Sequence, residues 1–573
     1  MSLINLSKTS CKSCYKCVNS CAVKAIKMID EQAETVDDRC INCGHCLAVC
    51  PQNARSIVND VDLIKSAIAD NRKLVASVAP SFPAAFNIGD GTKIVTALKL
   101  LGFYAVEETA AGAEAVLDIY KKLLREGNYK NFITTSCPAS NYLIEKYYPS
   151  LIKYMAPVIT PMAAHAKMIK ESYGNDAFVV FIGPCVAKKK EAEDYETDGF
   201  IDAVITFDEL TDWLLEENID VSSLNKGEFD LKTYRGGASF PIVGSILDYS
   251  MDEKLKSRYE AIKIDGTSEC MDLFRSMENG EITDVCVEPN VCRGGCIGGP
   301  GFLDAEGSFY NRRKKVKQYA SHKHQKELEA ADTDDKKFLT EFEDMHIHRS
   351  SASDEEIQNI LRKMGKFSKE DELNCGGCGY NTCIEKAQSV AEGMSEPTQC
   401  LPFIRSKAES LKNMIFEASP NAIFIIDEDM RILECNPKAE KVFCINAYDA
   451  KGKPISMLMD DSDFMKVKST KENKLNRKIT HSKYGAVMIE DIIYLEKQQS
   501  ILIIMNDITE EEKNKKELTL VKENTLDAAQ AVIENQMRVA QEIASLLGET
   551  TAETKVILTK LKKLAAEESG GVR

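Results

Sequence analysis

The chain has 573 residues, with 73 Lys and Arg against 89 Asp and Glu and a formal net charge of −16. That length corresponds to about three to five domains of ordinary size, and the acidic balance excludes the basic footprint of a general nucleic-acid binder. Apolar residues make up 44% of the chain, enough for packed cores, and the unusual number is 20 cysteines. The opening MSLINLSKTSCKSC has no basic region followed by an apolar stretch, so no secretory signal is expected. The longest apolar runs, such as 178–182, are strand-sized, and no membrane span is expected. The expected location is a reducing cytoplasm, where so many cysteines serve as metal ligands or reactive thiols.

Residues 1–58 are cysteine-dense and too small to bury much core, so the segment should need metal to fold. Cys11, Cys14, Cys17 and Cys21 are spaced C-x2-C-x2-C-x3-C, and Cys40, Cys43, Cys46 and Cys50 repeat the pattern before Pro51. Such runs wrap three corners of a [4Fe-4S] cubane while the fourth cysteine reaches the other cluster. Cys11, Cys14, Cys17 and Cys50 are thus assigned to one cluster, and Cys40, Cys43, Cys46 and Cys21 to the other. The segment resembles the bacterial two-cluster ferredoxins, an α+β module. Ala22 departs from the proline expected there, His45 reads as a bystander, and zinc stays open as an alternative.

Residues 59–309 read as α/β. Strand-like runs fall at 74–79, 132–135, 178–182, 203–206 and 284–288, with helices at 113–125 and 162–172 between them, which predicts a largely parallel sheet. Three motifs stand out: Thr135-Ser136-Cys137-Pro138, Gly183-Pro184-Cys185 continuing through Lys188 to Glu191, and Cys292-Arg293-Gly294-Gly295-Cys296. Cys137 and Cys185 end strand-like runs and Cys292 follows one, so all four thiols can gather at the carboxyl ends of strands. At these residues the segment resembles the catalytic domain of [FeFe]-hydrogenases. The resemblance implies an H-cluster, a cubane held by Cys137, Cys185, Cys292 and Cys296 and joined through Cys296 to a diiron group bearing CO, cyanide and a dithiolate. It also implies that Ala79-Pro80-Ser81 and Lys188 hold the two cyanides and that Glu191 orients Lys188. Ser136 stands where fast members carry a proton-relaying cysteine. A hydroxyl is far less acidic than a thiol titrating near 8.5, so Ser136→Cys is expected to raise turnover. The family's glutamate pair has no clear counterpart in 118–123, and Gly183 and Asn290 replace two pocket methionines. Cys286 reads as core, and Cys270 has no reading.

Residues 310–370 read as helices and charged linker, with Arg312-Arg313-Lys314-Lys315 as a solvated face and a turn at 333–335. Cys375, Cys378, Cys383 and Cys400, in a glycine-rich setting within 371–405, are similar to single-[4Fe-4S] domains, with zinc again an alternative. Residues 408–511 alternate strands and turns at 422–426, 432–434, 487–494 and 501–505. With Asn436-Pro437 and the closing Asp507-Ile508-Thr509-Glu510 they resemble an α+β PAS domain. Cys435, Cys444 and His481 read as buried thiols and a surface histidine. In 512–573, Leu526, Ile533, Ala540 and Leu547 recur every seven residues, which predicts a coiled-coil helix broken at Gly548. Thr550 and Glu553 have the spacing of a capping box for a second helix.

The resemblances together imply a multidomain, cytoplasmic hydrogenase of sensory type. It would carry three [4Fe-4S] clusters and an H-cluster, slowly splitting H2 and reducing protons. Expected partners are a redox protein such as ferredoxin and an unknown downstream signalling protein, with no nucleic acid, no membrane and a possible homodimer through PAS and tail. The alternatives are an ordinary ferredoxin-linked hydrogenase and a cluster-only signalling or assembly protein without diiron.

Overall fold

The computed structural model describes residues 3–547 and 552–567, except positions 8, 87–91, 128, 195–198, 303–307, 325–334, 348, 350 and 351. The chain divides into two compact units, Met1–Ile404 and Arg405–Arg573. Among the described residues no helix is long and apolar enough to cross a membrane.

In the first unit the expected sheet is two sheets, each wholly parallel. One has the order Ala105–Glu108, Leu74–Val78, Phe178–Gly183, Ala203–Thr206. The other has the order Glu260–Asp265, Val285–Asn290, Phe132–Ile133. Leu74–Val78 and Phe178–Gly183 are buried at every position, as strands covered by helices on both faces require. Two strands escaped the sequence reading. Ala105–Glu108 carries two glutamates, and Glu260–Asp265 is charged and half exposed, so neither shows an apolar run. The Ala110–Glu126 and Pro161–Tyr173 helices pack together near these strands. Gly112 stands at their contact, where a Cβ would lie 2.2 Å from the Pro161 carbonyl oxygen.

The two cysteine-rich segments are docked modules of this unit. An antiparallel hairpin, Ile26–Ile29 with Gln32–Thr35, meets the late segment through Met28, whose carbonyl accepts from Gln399 at 2.7 Å. Lys24 donates to the Gly379 carbonyl at 2.8 Å, and Tyr380 completes a small core with Val18, Ile26, Met28 and Ala33. On another side, Gly44 abuts Val186 and Pro300 of the α/β region so closely that a Cβ would stand 2.7 Å from Pro300. The basic run lies in the Phe309–Ser321 helix. Only Lys314 of its four cations is exposed, because the helix lays one side on the core and Arg312 stacks over Phe302. The solvated-face reading is corrected accordingly. Positions 333 and 334 of the expected turn lie outside the described residues.

The second unit is a five-stranded antiparallel sheet in the order Ile432–Cys435, Ala422–Asp427, Ser500–Asp507, Ala486–Leu495, Lys474–His481. The Lys474–His481 strand went unread because its pattern is mostly polar. Asn436 fixes the turn after the second strand: its side chain caps Ala439 and accepts from Ile423 at 2.9 Å. Cys435 is buried, whereas Cys444 is exposed in a left-handed turn, contrary to the expected pair of buried thiols. His481 is not a surface group: its ring lies edge-on to Phe443, and its Nε2 is buried without a hydrogen bond. A helix is described from Thr509 to Leu547, with Leu526 of the apolar repeat about half exposed. A second helix spans Ala552–Glu567; Gly548 and Thr550 lie outside the described residues.

Candidate active site and cluster sites

The carboxyl ends of both parallel sheets converge on one cavity of ≈ 90 Å³. Its wall includes Cys137, Cys185, Cys292 and Cys296, from three loops, together with Ala79, Pro80 and Ser81 after the Leu74–Val78 strand. Ser136, Lys188 and Asn290 complete the side already read from sequence. Gly183 does not line the cavity. A Cβ there would meet the Phe181 ring at 2.7 Å, and that ring lines the wall instead. Cys270 and Cys286 are fully buried and do not line it, although Cys270 lies just behind the wall and donates to the Asn290 carbonyl at 3.6 Å.

Lys188 is buried, with its ammonium 3.1 Å from Glu191 and 3.2 Å from the Thr160 hydroxyl, which itself donates to Glu191. A buried cation held this way is an oriented donor for an anion in the cavity. The Ser81 hydroxyl is wholly buried and has no hydrogen-bond partner. An orphaned buried donor beside four thiols fits a site that takes a polar ligand. Burial pushes the Cys185 thiol up to about 11 and the Cys296 thiol to about 12, while Lys188 pulls both down. Free thiols here are protonated at neutral pH, so binding metal as thiolates releases protons.

The remaining cysteines sort into three groups. Cys11, Cys14, Cys17 and Cys50 line one small cavity with Arg55, whose guanidinium donates to Cys17 at 3.7 Å. Cys375, Cys378, Cys383 and Cys400 line another, with Lys366 and the fully buried Lys386. Cys21, Cys40, Cys43 and Cys46 influence one another's titration, and burial pushes Cys40 up to about 11 and Cys46 to about 12. The groups form a succession. Cys378 shares an apolar cluster with Cys11 and Cys17, Cys46 feels Cys17, and Cys43 is close enough to raise Cys292. Among the described residues, no three Cys, His, Asp or Glu side chains close on a point as a single ion requires. Three of the four cysteine sets line cavities, which fits the separated corners of a polynuclear cluster.

Residues 72–300 match the family model for the iron-only hydrogenase large subunit, C-terminal domain. The middle of the chain is similar to the iron-only hydrogenases. Further matches are a 4Fe-4S dicluster domain over 3–51, an Fe-S cluster domain over 371–402 and a PAS fold over 411–487. Iron hydrogenase 1 of Clostridium pasteurianum is 26% identical over 373 residues, covering 52% of this chain and 64% of the relative. The NADP-reducing hydrogenase subunit HndD of Solidesulfovibrio fructosivorans is 27% identical over 329 residues, covering 46% and 56%. The chain thus spans less than two thirds of either relative. A solved structure of the apo [FeFe]-hydrogenase HydA1 of Chlamydomonas reinhardtii covers 51% of this chain and all of its own, at 18% identity and a TM-score of 0.40. The protein is therefore [FeFe]-hydrogenase-like with a PAS domain, and iron–sulfur clusters and an H-cluster are its expected cofactors.

Sequence reasoning missed Tyr120 and Thr109. Tyr120 is the only hydroxyl hydrogen-bonded to Ser136 among the described residues, at 3.2 Å, and Thr109 lines the cavity from the N-cap of the helix that carries Tyr120. Both belong to the Ala110–Glu126 helix and its cap, far in sequence from the cysteine motifs, so no spacing signal marks them.

Proposed function

We propose that the chain is a sensory-type [FeFe]-hydrogenase that turns over H2 slowly and reports its redox state through the PAS domain. The observation that carries this reading is the single cavity walled by four cysteines, Lys188 and the orphaned Ser81 hydroxyl. Cys137, Cys185, Cys292 and Cys296 would hold the cubane of the H-cluster, with Cys296 bridging to diiron. When bound, that group supplies a metal site for heterolytic splitting of H2 and a store for its electrons. Lys188 and the Pro80–Ser81 segment, both on the cavity wall, would hold its two cyanides. Glu191 and Thr160 fix the Lys188 ammonium. The succession of cysteine sets is an electron route between the cavity and the late module, and a ferredoxin-like donor would serve as redox partner. The test is infrared spectroscopy of the full chain matured with diiron. CO and cyanide stretching bands are expected, and their absence would sink the hydrogenase reading in favour of a cluster-only protein.

Ser136 has a narrower role than its position suggests. Beyond it, Tyr120 bonds Thr135 at 3.1 Å, and Thr135 donates to the Val158 carbonyl at 2.7 Å. That network ends on a backbone carbonyl, which cannot pass a proton on. Ser136→Cys alone is therefore expected to change turnover by less than about threefold, below the rise expected from thiol acidity. A tenfold rise in a hydrogen-evolution assay would refute the dead end.

Lys386 should tune the late cluster. Its ammonium bonds Gln399 at 2.7 Å, and burial pulls it down to about 8 against the support of Cys378 and Cys400. Lys386→Met removes a buried cation from the cavity lined by the four cysteines, where it would favour the reduced, more negative form of a cluster. The midpoint potential should fall by on the order of 100 mV. A potentiometric titration read by electron paramagnetic resonance checks it, and an unchanged midpoint contradicts it.

A further inference from the structure

We propose that Thr109, Ser77, His165, Glu107 and Tyr173 form a proton wire from the cysteine-walled cavity toward solvent. The proposal rests on reading that cavity as a hydrogenase site. Thr109 lines the cavity, and its hydroxyl lies 2.8 Å from Ser77 Oγ. Ser77 is 2.8 Å from His165 Nδ1, and His165 Nε2 is 3.0 Å from one Glu107 oxygen. The Tyr173 hydroxyl donates to the other Glu107 oxygen at 2.6 Å. The first four residues are buried, and Tyr173, the last residue of its helix, is half-buried beside the exposed ring of Tyr104.

Each link follows from the fold. Ser77 and Glu107 are register partners on adjacent parallel strands. His165 and Tyr173 lie eight residues apart on one helix, so they share a face. Thr109 is the N-cap of the Ala110–Glu126 helix, yet its hydroxyl makes no cap and turns to Ser77 instead. A continuous polar line through a core of Val75, Ala76 and Val78 is costly where apolar residues would pack.

With Glu107 ionised, the donors run outward: Thr109 to Ser77, Ser77 to Nδ1, and Nε2–H to Glu107. A proton taken by Thr109 displaces one along each bond, each group gaining and losing one, and Glu107 ends as the acid. The acid proton forms on the Glu107 oxygen facing His165, so a half-turn of the carboxyl group carries it to the Tyr173 hydroxyl, whose own hydrogen then turns to solvent. One O–H or N–H bond breaks for each that forms, and no electron moves. The wire contains an imidazole and a carboxylate, the side-chain types that serve as general acids and bases. The Ser136 network contains only hydroxyls.

The experiment is difference infrared spectroscopy of the matured full chain, switched between argon and H2. A carbonyl band of a protonated carboxylic acid should grow under H2 and shift in D2O. Glu107→Gln should keep the CO and cyanide bands and lose the carbonyl band. Thr109→Val, which keeps the side-chain shape, should lose it too, and turnover should fall about tenfold or more in both. A carbonyl band that survives in Glu107→Gln, or is lost only in Glu191→Gln, overturns the wire. Missing CO and cyanide bands in the unmutated chain overturn the hydrogenase reading itself.

Discussion

Lys188→Met should both unsettle the first unit and disable the cavity. Lys188 and Glu191 form a buried pair at 3.1 Å, with side chains only 11% and 9% exposed. Removing the cation leaves the Glu191 carboxylate buried with the Thr160 hydroxyl as its remaining close donor, and breaking a buried pair in this way costs about 3–5 kcal/mol. Thermal unfolding of the first unit should shift down accordingly. The functional loss is separate. A charge-assisted hydrogen bond to a cyanide is worth about 1.5–3 kcal/mol, so turnover should fall roughly 10- to 150-fold even in protein that folds. The double variant Lys188→Met/Glu191→Gln separates the two effects, because it removes the stranded charge as well. It should recover most of the stability and none of the turnover. Recovery of both would assign Lys188 a purely structural role.

The cysteines were legible because their chemistry fixes their spacing. Eight residues in two identical runs, and four around a glycine turn, announce themselves in one dimension. The three loops of the cavity were legible for a related reason: each cysteine sits just past a strand, and strands of buried apolar residues are easy to read. What stayed hidden lies across elements. Ser77, Glu107 and His165 meet only because two strands pair in register and a helix covers them, and nothing in their separate surroundings signals it. Glu107, which belongs to this line, and Glu108, which bonds Thr233 and Lys323, also disguise the strand. The docking of the late cysteine module was equally unreadable, since it rests on single contacts such as Lys24 to Gly379 and Gln399 to Met28. His481 was misread because a polar strand hid which of its faces turns inward.

Gly112→Ala tests whether close helix packing positions the proposed wire. Helix propensity alone favours the change, since glycine inside a helix is worse than alanine by about 1 kcal/mol. The tertiary contact opposes it. A Cβ would lie 2.2 Å from the Pro161 carbonyl oxygen and 2.6 Å from the His165 backbone nitrogen. Both neighbours are backbone, so no side chain can rotate away and the two helices must separate. Overpacking of this kind costs about 1–3 kcal/mol and more when backbone must move, so the clash outweighs the propensity gain. The net expectation is a loss of about 2 kcal/mol or more in the first unit, read from its denaturant midpoint. Because His165 stands at the contact, the separation also stretches its bonds to Ser77 and Glu107. Turnover should therefore fall further than stability accounts for, while Gly452→Ala, with open space around its Cβ in the second unit, leaves turnover unchanged. A stabilised Gly112→Ala protein with full activity would show that the helices are free to part, and that their spacing does not set the geometry of the line from Thr109 to Tyr173.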